Sequence, residues 1–218
     1  LTSATLATGQ TMDLYKFQVS ADAAGSIGLK KVTFSITTAT GTGSGLNLSN
    51  FRIRRGSSEL TSSQASIVNF YGTDLYAGTF TNTANTTTAS TIAQRVVVVF
   101  TTEEIISGSG NVYTLVANVG GTLITGDSVT VSMTRADDTA TVTGYLTPAA
   151  MGTDVTRMYG PHIDTGTAPV FTTSTADFVW SDLSEIPHSD AVGNLGGSRD
   201  WTNGYLVDDL TQSVTLSK

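Results

Sequence analysis

The dominant pattern along the chain is an alternation of apolar and polar residues with a period of two. In DLYKFQVS, the residues Tyr15, Phe17 and Val19 fall on one face, while Lys16 and Gln18 fall on the other. Residues two apart lie on the same side of a β-strand, so this pattern predicts a half-buried strand. The same alternation recurs in KKVTFSIT, NFRIRR, VYTLVANV and SVTVSM.

Two neighbouring strands of this kind are separated by only a short connection. DLYKFQVS and KKVTFSIT are joined by ADAAGSIG, whose small residues and glycines are typical of a turn. Two strands around one short loop predict a β-hairpin. Further along, NFRIRR predicts a strand with Phe51 and Ile53 facing inward and Arg52 and Arg54 facing outward.

One segment departs from the alternation because it is continuously apolar. RVVVVF, residues 95–100, has apolar side chains from Val96 to Phe100. This pattern predicts a strand that is covered on both faces or that lies at a subunit interface. The next segment, TTEEIISGSG, predicts a short helical turn with Thr102 as its cap.

Strand signals recur at roughly 8–15 residue intervals, and helical periodicity is nowhere sustained. About 11 to 13 strands in one chain predict an all-β fold, a Greek-key or jelly-roll-like antiparallel β-sandwich. Low-complexity sequence predicts flexible loops at residues 37–49 and 81–90. We expect one sandwich domain over residues 13–218. A possible boundary lies near the Gly- and Pro-containing stretch 160–169, and residues 161–218 are a candidate C-terminal edge module of this domain.

Composition narrows the classes of partner. Charged residues make up 13% of the chain, against about 25% in ordinary soluble domains, and 39 threonines supply much of the remaining polarity. The net charge of −7 disfavours nucleic acid and anionic membranes. The chain contains no cysteine. It also contains no apolar run of about 18 residues, so we expect no membrane span. Because the sequence begins at Leu1, we expect either a mature exported protein or a fragment of a longer chain.

The segment FVWSDLSEIPHSD concentrates the residues that could carry chemistry. Asp182, Glu185, His188 and Asp190 offer oxygen ligands with one imidazole, but without EF-hand spacing or a second histidine for zinc. We therefore interpret them as an acidic, solvated loop and predict neither a metal nor a cofactor. The adjacent carboxylates at 137–138 and 208–209 point to opposite faces of a strand and do not form a dyad. No nucleophile motif is present, and we predict no catalytic residue and no enzyme activity.

Three aromatic residues allow a ligand-binding alternative. Trp180, Trp201 and Tyr205 could form a platform on which a sugar ring stacks, although tryptophan more often packs at a sheet end. Asn47 and Asn85 lie in N-x-[ST] sequences within the predicted loops and are candidate glycosylation sites.

The closing residues 178–218, with WSD, PHS and DWTNGYLV, resemble the end of Thr/Ser-rich exported surface proteins of candidate-phylum bacteria, and residues 14–36 resemble their opening hairpin. The resemblance implies an extracellular location and a β fold. The chain is also similar, more loosely, to camelysin-type and archaeal filament subunits, which polymerise by donating a terminal strand. That similarity implies a donor strand within residues 1–12.

The leading hypothesis is therefore an extracellular structural subunit of a surface filament or surface layer, assembled head to tail from identical copies. Strand addition satisfies edge N–H and C=O groups while apolar side chains fill a groove. The expected subunit contacts are Leu1, Ala4, Leu6, Val96, Val98 and Phe100. The alternative is a cell-surface adhesin or carbohydrate-binding module, with surface glycans as partners, and a third reading is an all-β hydrolase.

Overall fold

The structure is a computed structural model that describes residues 5–22, 25–69, 74–81, 90–133, 177–188, 200–204, 207, 210 and 212–218. These residues form β-strands and no helix. The strands are β1 (Gln10–Val19), β2 (Ser26–Thr40), β3 (Asn47–Arg55), β4 (Ser58–Glu59), β5 (Ala65–Asn69), β6 (Thr79–Thr81), β7 (Ser90–Ser107), β8 (Asn111–Gly120), β9 (Ser128–Met133), β10 (Phe178–Ser181), β11 (Trp201–Asn203) and β12 (Ser213–Ser217).

The strands form two antiparallel sheets that pack face to face. The smaller sheet has the order β1-β8-β3-β4, with β6 also pairing with β3. The larger sheet has the order β11-β10-β2-β7-β5, and β9 joins it by pairing with β2 and β12. The chain crosses between the sheets at β1–β2 and β2–β3 and at every connection from β4 to β9, as in sandwiches whose consecutive strands lie in opposite sheets. The predicted all-β antiparallel sandwich is confirmed.

The predicted hairpin of β1 and β2 is wrong. β1 pairs with β8, and β2 pairs with β7, so the short connection carries the chain from one sheet to the other. The rings of Tyr15 and Phe34 meet across the sandwich, with centroids 5.9 Å apart. Turn residues specify that the chain reverses, but they do not decide whether the next strand lies beside the first or opposite it.

The apolar faces of the alternating segments are buried, as the sequence pattern predicts. Buried residues on the predicted inner faces form one core between the sheets; they include Tyr15, Val32, Phe34, Ile36, Phe51, Ile53, Tyr113, Leu115, Ala117, Val119, Val129, Val131 and Met133. In β1 both Leu14 and Tyr15 are buried, because the register with β8 shifts between Asp13 and Tyr15. This bulge turns one additional side chain toward the core.

The strand β7 is buried on both faces over its valine run. Val96, Val98 and Phe100 lie in the core between the sheets. Val97 and Val99 form a second hydrophobic cluster with Val68 of β5 on the other face of the larger sheet. The predicted covering of both faces is therefore observed within this chain.

The helical turn predicted after this run is wrong. The segment continues β7 as far as Ser107, and Ile106 pairs with Ile27 at the start of β2. The register between β2 and β7 shifts at Leu29 and Lys31, which accommodates the extra residues. Hydrogen bonding to a long partner strand here outweighs the local capping signal.

The predicted loop at residues 37–49 is largely strand, because β2 extends to Thr40 and β3 begins at Asn47. The connection between them is held by the buried carboxylate of Asp127, which accepts hydrogen bonds from Ser44 Oγ (2.7 Å), Gly41 N (3.0 Å) and Ile124 N (2.8 Å). Most of the other predicted loop, residues 82–89, and the boundary at 160–169 lie outside the described residues.

Candidate functional site

The first candidate site is the attachment of the N-terminal segment, residues 5–9. Thr5 forms an isolated parallel bridge with Ser217 of β12, and Leu6 N donates to Ser217 O at 2.9 Å. Gly9 N donates to Val119 O at 2.8 Å. The Leu6 side chain has 0% exposure and packs in the core, whereas Thr8 is exposed. Few bonds and one apolar anchor therefore hold this segment to the edge of β12.

The other predicted subunit contacts either lie outside the described residues or are buried inside the subunit. Leu1 and Ala4 lie outside the described residues. Val96, Val98 and Phe100 are buried in the chain's own core, so their side chains are not presented at the surface of this structure. Sequence reasoning missed the role of Ser217 and β12, because no local pattern indicates a pairing between the two ends of a chain.

The second candidate site is a groove of about 920 Å³ at the open side of the sandwich. One wall is the stretch from Tyr15 to Asp22, which comprises the second half of β1 and the residues after it. The opposite wall includes Phe178, Trp180, Met133 and Val214 of the larger sheet. The groove therefore lies between the edge of one sheet and the inner face of the other.

Two of the three aromatic residues predicted to form a sugar platform, Trp180 and Trp201, are described, and they differ in exposure. Trp180 is partly buried and lines the groove. Trp201 is completely buried, and its ring lies 5.2 Å from the ring of His188, so it offers no face to a ligand. Tyr205 lies outside the described residues.

His188 is the centre of a partly buried polar cluster that joins three parts of the larger sheet. Its Nδ1 lies 2.8 Å from Asp200 Oδ2, and its Nε2 lies 2.9 Å from Glu103 Oε1. Asp200 precedes β11, and Glu103 belongs to β7. A Cβ atom at Gly28 on β2 would collide with the Glu103 carboxylate, so a larger residue there would displace this carboxylate from its place beside His188.

Electrostatics favour the charged imidazole at this position. Burial lowers the pKa of His188, but the hydrogen bond to Glu103 and the negative charges of Glu103 and Asp200 outweigh it, so the pKa lies above its usual value. Both ring nitrogens are engaged by carboxylates, so the imidazole is arranged as a bridge between strands. No local sequence pattern indicates this pairing, since Glu103 is 85 residues away from His188.

Two of the other acidic residues of this segment, Asp182 and Glu185, lie in the part of the chain that the structure describes. Asp182 Oδ1 accepts a hydrogen bond from Ser184 N at 3.1 Å, and Glu185 N donates to Asp200 at 3.3 Å. Asp190 lies outside the described residues. In the part of the chain that the structure describes, no group of three His, Asp or Glu residues is arranged to hold a metal ion.

Two lysines are buried in the larger sheet. Lys30 Nζ donates to Thr101 O at 2.9 Å. Lys31 is 2% exposed, and burial lowers its pKa to about 8 although Asp177 acts in the opposite direction and Arg95 adds to the decrease. The Asp177 carboxylate lies 3.4 Å from Arg95 Nη1. These charges belong to the structure of the sheet and do not line the groove.

The candidate glycosylation sites differ in what the structure describes. Asn47, which was predicted to lie in a loop, is the first residue of β3 and pairs with Gly120 and Thr81. Asn85 lies outside the described residues.

No protein family, curated protein or solved structure matches this chain. Among the described residues, none form a helix of the length and hydropathy that a bilayer crossing requires.

Proposed function

We propose that this protein is an extracellular structural subunit that assembles head to tail into a surface filament or surface layer. Each subunit donates its N-terminal segment as a β-strand to the next. The observation that carries the proposal is the attachment of residues 5–9 at the edge of β12, with Leu6 as the buried anchor. Such a segment can leave its own subunit and be replaced by the equivalent segment of a second copy.

The energetics of this exchange are favourable for assembly. Burial of one leucine contributes about 2 kcal/mol, and each backbone hydrogen bond contributes about 1 kcal/mol net. The same contacts form again between subunits, so the exchange itself has little net cost. Additional surface buried between neighbouring subunits then favours the polymer.

Composition supports an exported structural role. The chain is rich in threonine and glycine, low in charge and without cysteine. Its resemblance to exported surface proteins points the same way. The described residues form strands, turns and a partly buried histidine bridge, which suit a structural role without a catalytic residue or a cofactor.

The test is sedimentation velocity and negative-stain electron microscopy of the purified chain at increasing concentration. Wild-type protein should form uniform fibres or sheets. Leu6→Asp should abolish them, because a carboxylate cannot occupy the apolar site, while the exposed Thr8→Asp should assemble normally. Circular dichroism checks that both variants retain β structure. Monodisperse wild-type monomers at high concentration, or fibres formed by folded Leu6→Asp, would contradict the proposal.

Carbohydrate binding is the second candidate function, and the observation that favours it is Trp180 in the open groove. Its indole is accompanied there by Gln18 and Asp182, side chains that can hydrogen-bond sugar hydroxyls. Glycan-array binding followed by calorimetry should show affinity that Trp180→Ala removes without changing the melting temperature. A lack of glycan binding by the wild-type chain would exclude this function.

A further inference from the structure

We infer that Gly9 is the hinge that sets the balance between two forms of the chain. In the closed form, residues 5–8 lie on the edge of β12 in their own subunit, and in the exchanged form they lie on β12 of a second copy of this chain. This inference rests on the proposed strand donation and identifies the residue that regulates it. Residues 5–8 make the same contacts in both forms, so the forms differ in the connection that leads into β1.

Gly9 lies next to the point at which the chain passes from one sheet to the other. Leu6 N donates to Ser217 O of β12, in the larger sheet, at 2.9 Å. Gly9 N donates to Val119 O of β8, in the smaller sheet, at 2.8 Å, and β1 begins at the next residue. Residues 7–8 are all that separates these two attachments. The closed form therefore requires a tight turn directly before β1.

This turn uses a backbone conformation that favours glycine. Gly9 has a φ of 74°, in the left-handed region that residues with a Cβ atom rarely adopt. A Cβ atom at Gly9 would meet nothing within 4 Å beyond its chain neighbours, and the residue is exposed. A side chain at this position therefore acts on the backbone preference and not on packing.

The exchanged form does not need this turn. Residues 5–8 have then left their own subunit, and an extended connection to a neighbour has negative φ, which residues of every type adopt. A residue that resists positive φ raises the free energy of the closed form and leaves the exchanged form unaffected. Glycine at position 9 keeps the closed form populated, so that subunits stay monomeric at low concentration.

Two substitutions at the hinge separate backbone preference from the mere presence of a side chain. Gly9→Val introduces a β-branched residue, for which positive φ is an outlier, whereas Gly9→Asn introduces one of the few residues that tolerate it. Gly56→Val is the matched control. Gly56 has a φ of 60° and open surroundings, and its N donates to Val112 O of β8 at 2.7 Å. Its turn joins β3 to β4 and is the same in both forms.

Exchange is measured with two introduced cysteines, Thr5→Cys and Ser217→Cys, in a chain that has no cysteine of its own. These residues form a parallel bridge, and paired residues of adjacent strands lie within the Cα distance that a disulfide spans. Mild oxidation should link a closed subunit to itself and exchanged subunits in series. On a non-reducing gel the closed form runs as a monomer and the exchanged form as a ladder of multimers.

We expect Gly9→Val to lower the concentration at which half of the chains enter the ladder by about tenfold. Gly9→Asn should stay close to the wild-type concentration, and Gly56→Val should not lower it. Circular dichroism checks that each variant keeps its β structure. An unchanged concentration with Gly9→Val, or an equal decrease with Gly56→Val, would overturn the hinge.

The outcomes distinguish the hinge from strand donation. A ladder that forms equally with and without Gly9→Val overturns the hinge and leaves donation intact. Fibres whose subunits are linked only to themselves overturn both, as does a closed monomer at every concentration in both backgrounds. A ladder that appears with Gly9→Val but with neither glycine nor Gly56→Val supports the hinge, although the wild-type chain would then not assemble by itself.

Discussion

At the scale of single residues, the bridge formed by His188 determines a pH dependence. Glu103 and Asp200 face its two ring nitrogens, and together they raise the pKa of the imidazole above its usual value. A group whose pKa is raised by folding stabilises the fold fully below its unfolded pKa, about 6.5 for histidine. This contribution is lost as the pH rises through the pKa of the folded state.

We predict that His188→Gln loses about 1–2 kcal/mol of unfolding free energy at about pH 6, and that the difference from wild type shrinks toward alkaline pH. Urea unfolding across the pH range measures this. Glu59→Gln, which alters an exposed ion pair with Arg52, serves as the control and should show no comparable trend. Parallel pH profiles for His188→Gln and wild type would contradict the prediction.

The buried Lys31 has the opposite dependence. Its pKa in the fold, about 8, lies below the ordinary value of 10.5, so between these pH values the unfolded chain binds more protons than the folded chain. Stability from this group therefore rises with pH across that window. At pH values below this window, the charged ammonium group of Lys31 lies in a buried site and lowers the free energy of unfolding.

We predict that Lys31→Met raises the unfolding free energy by about 1–3 kcal/mol near pH 7, because an apolar side chain replaces a poorly solvated charge while Asp177 keeps its contact with Arg95. The gain should disappear by about pH 10.5. Lys16→Met, on the exposed face of β1, is the control. A less stable Lys31→Met protein would show that attraction to Asp177 outweighs burial.

At the scale of elements, the turn between β7 and β8 contains two glycines with different surroundings. Both have positive φ, 57° at Gly108 and 77° at Gly110. A side chain at Gly108 would meet open space, but one at Gly110 would collide with the backbone of Val19 and Ser20. This contact places the end of β1 against the turn.

We predict that Gly110→Ala lowers the unfolding free energy by about 2–4 kcal/mol, since backbone atoms must move, whereas Gly108→Ala costs about 1 kcal/mol from backbone strain alone. Thermal unfolding of the two variants compares them directly. Equal losses would mean that the β1 backbone yields easily at Val19.

The strands also show where local sequence is sufficient. Leu115 and Val131 are buried because each lies on the apolar face of an alternating segment, and that face must be covered in any arrangement of the sheets. The segment TTEEIISGSG was misjudged because its cap and turn residues are local signals. Its partner on β2, from Ser26 to Leu29, is remote in sequence and supplies the hydrogen bonds that extend β7.

At the scale of the whole molecule, the two ends of the described chain support each other. Leu6 donates to the backbone of Ser217, and Lys218 N donates to Asp127 O at 2.9 Å. Closure of the larger sheet at β12 therefore depends in part on a segment that strand donation would remove from its own subunit.

We predict that a chain lacking residues 1–8 remains folded but loses about 2–4 kcal/mol, from one buried leucine and its backbone bonds. Added peptide of residues 1–9 should restore the melting temperature, with about 2.7 kcal/mol regained at a peptide concentration 100 times its Kd. Differential scanning fluorimetry measures the recovery, and the Leu6→Asp peptide is the control. A truncated chain as stable as wild type would show that the segment contributes nothing to the fold.

The sequence by itself determined the class of the fold and the inward faces of its strands. The period of two in DLYKFQVS, VYTLVANV and SVTVSM is a local property, and burial of the apolar face follows from it whichever strand lies alongside. The continuous apolar run from Val96 to Phe100 likewise indicated a strand that is covered on both faces.

Only the tertiary structure decided which strands pair, and with them the candidate sites. Backbone hydrogen bonds are the same for every residue type. The sequence of β1 therefore does not indicate that its partner is β8 or that its residues 15–22 line a groove. The bridge from His188 to Glu103, the attachment of Leu6 to Ser217 and the burial of Trp201 all join distant parts of the chain. These three features depend on the order in which the chain passes between the two sheets, which is a property of the whole chain and not of any one segment.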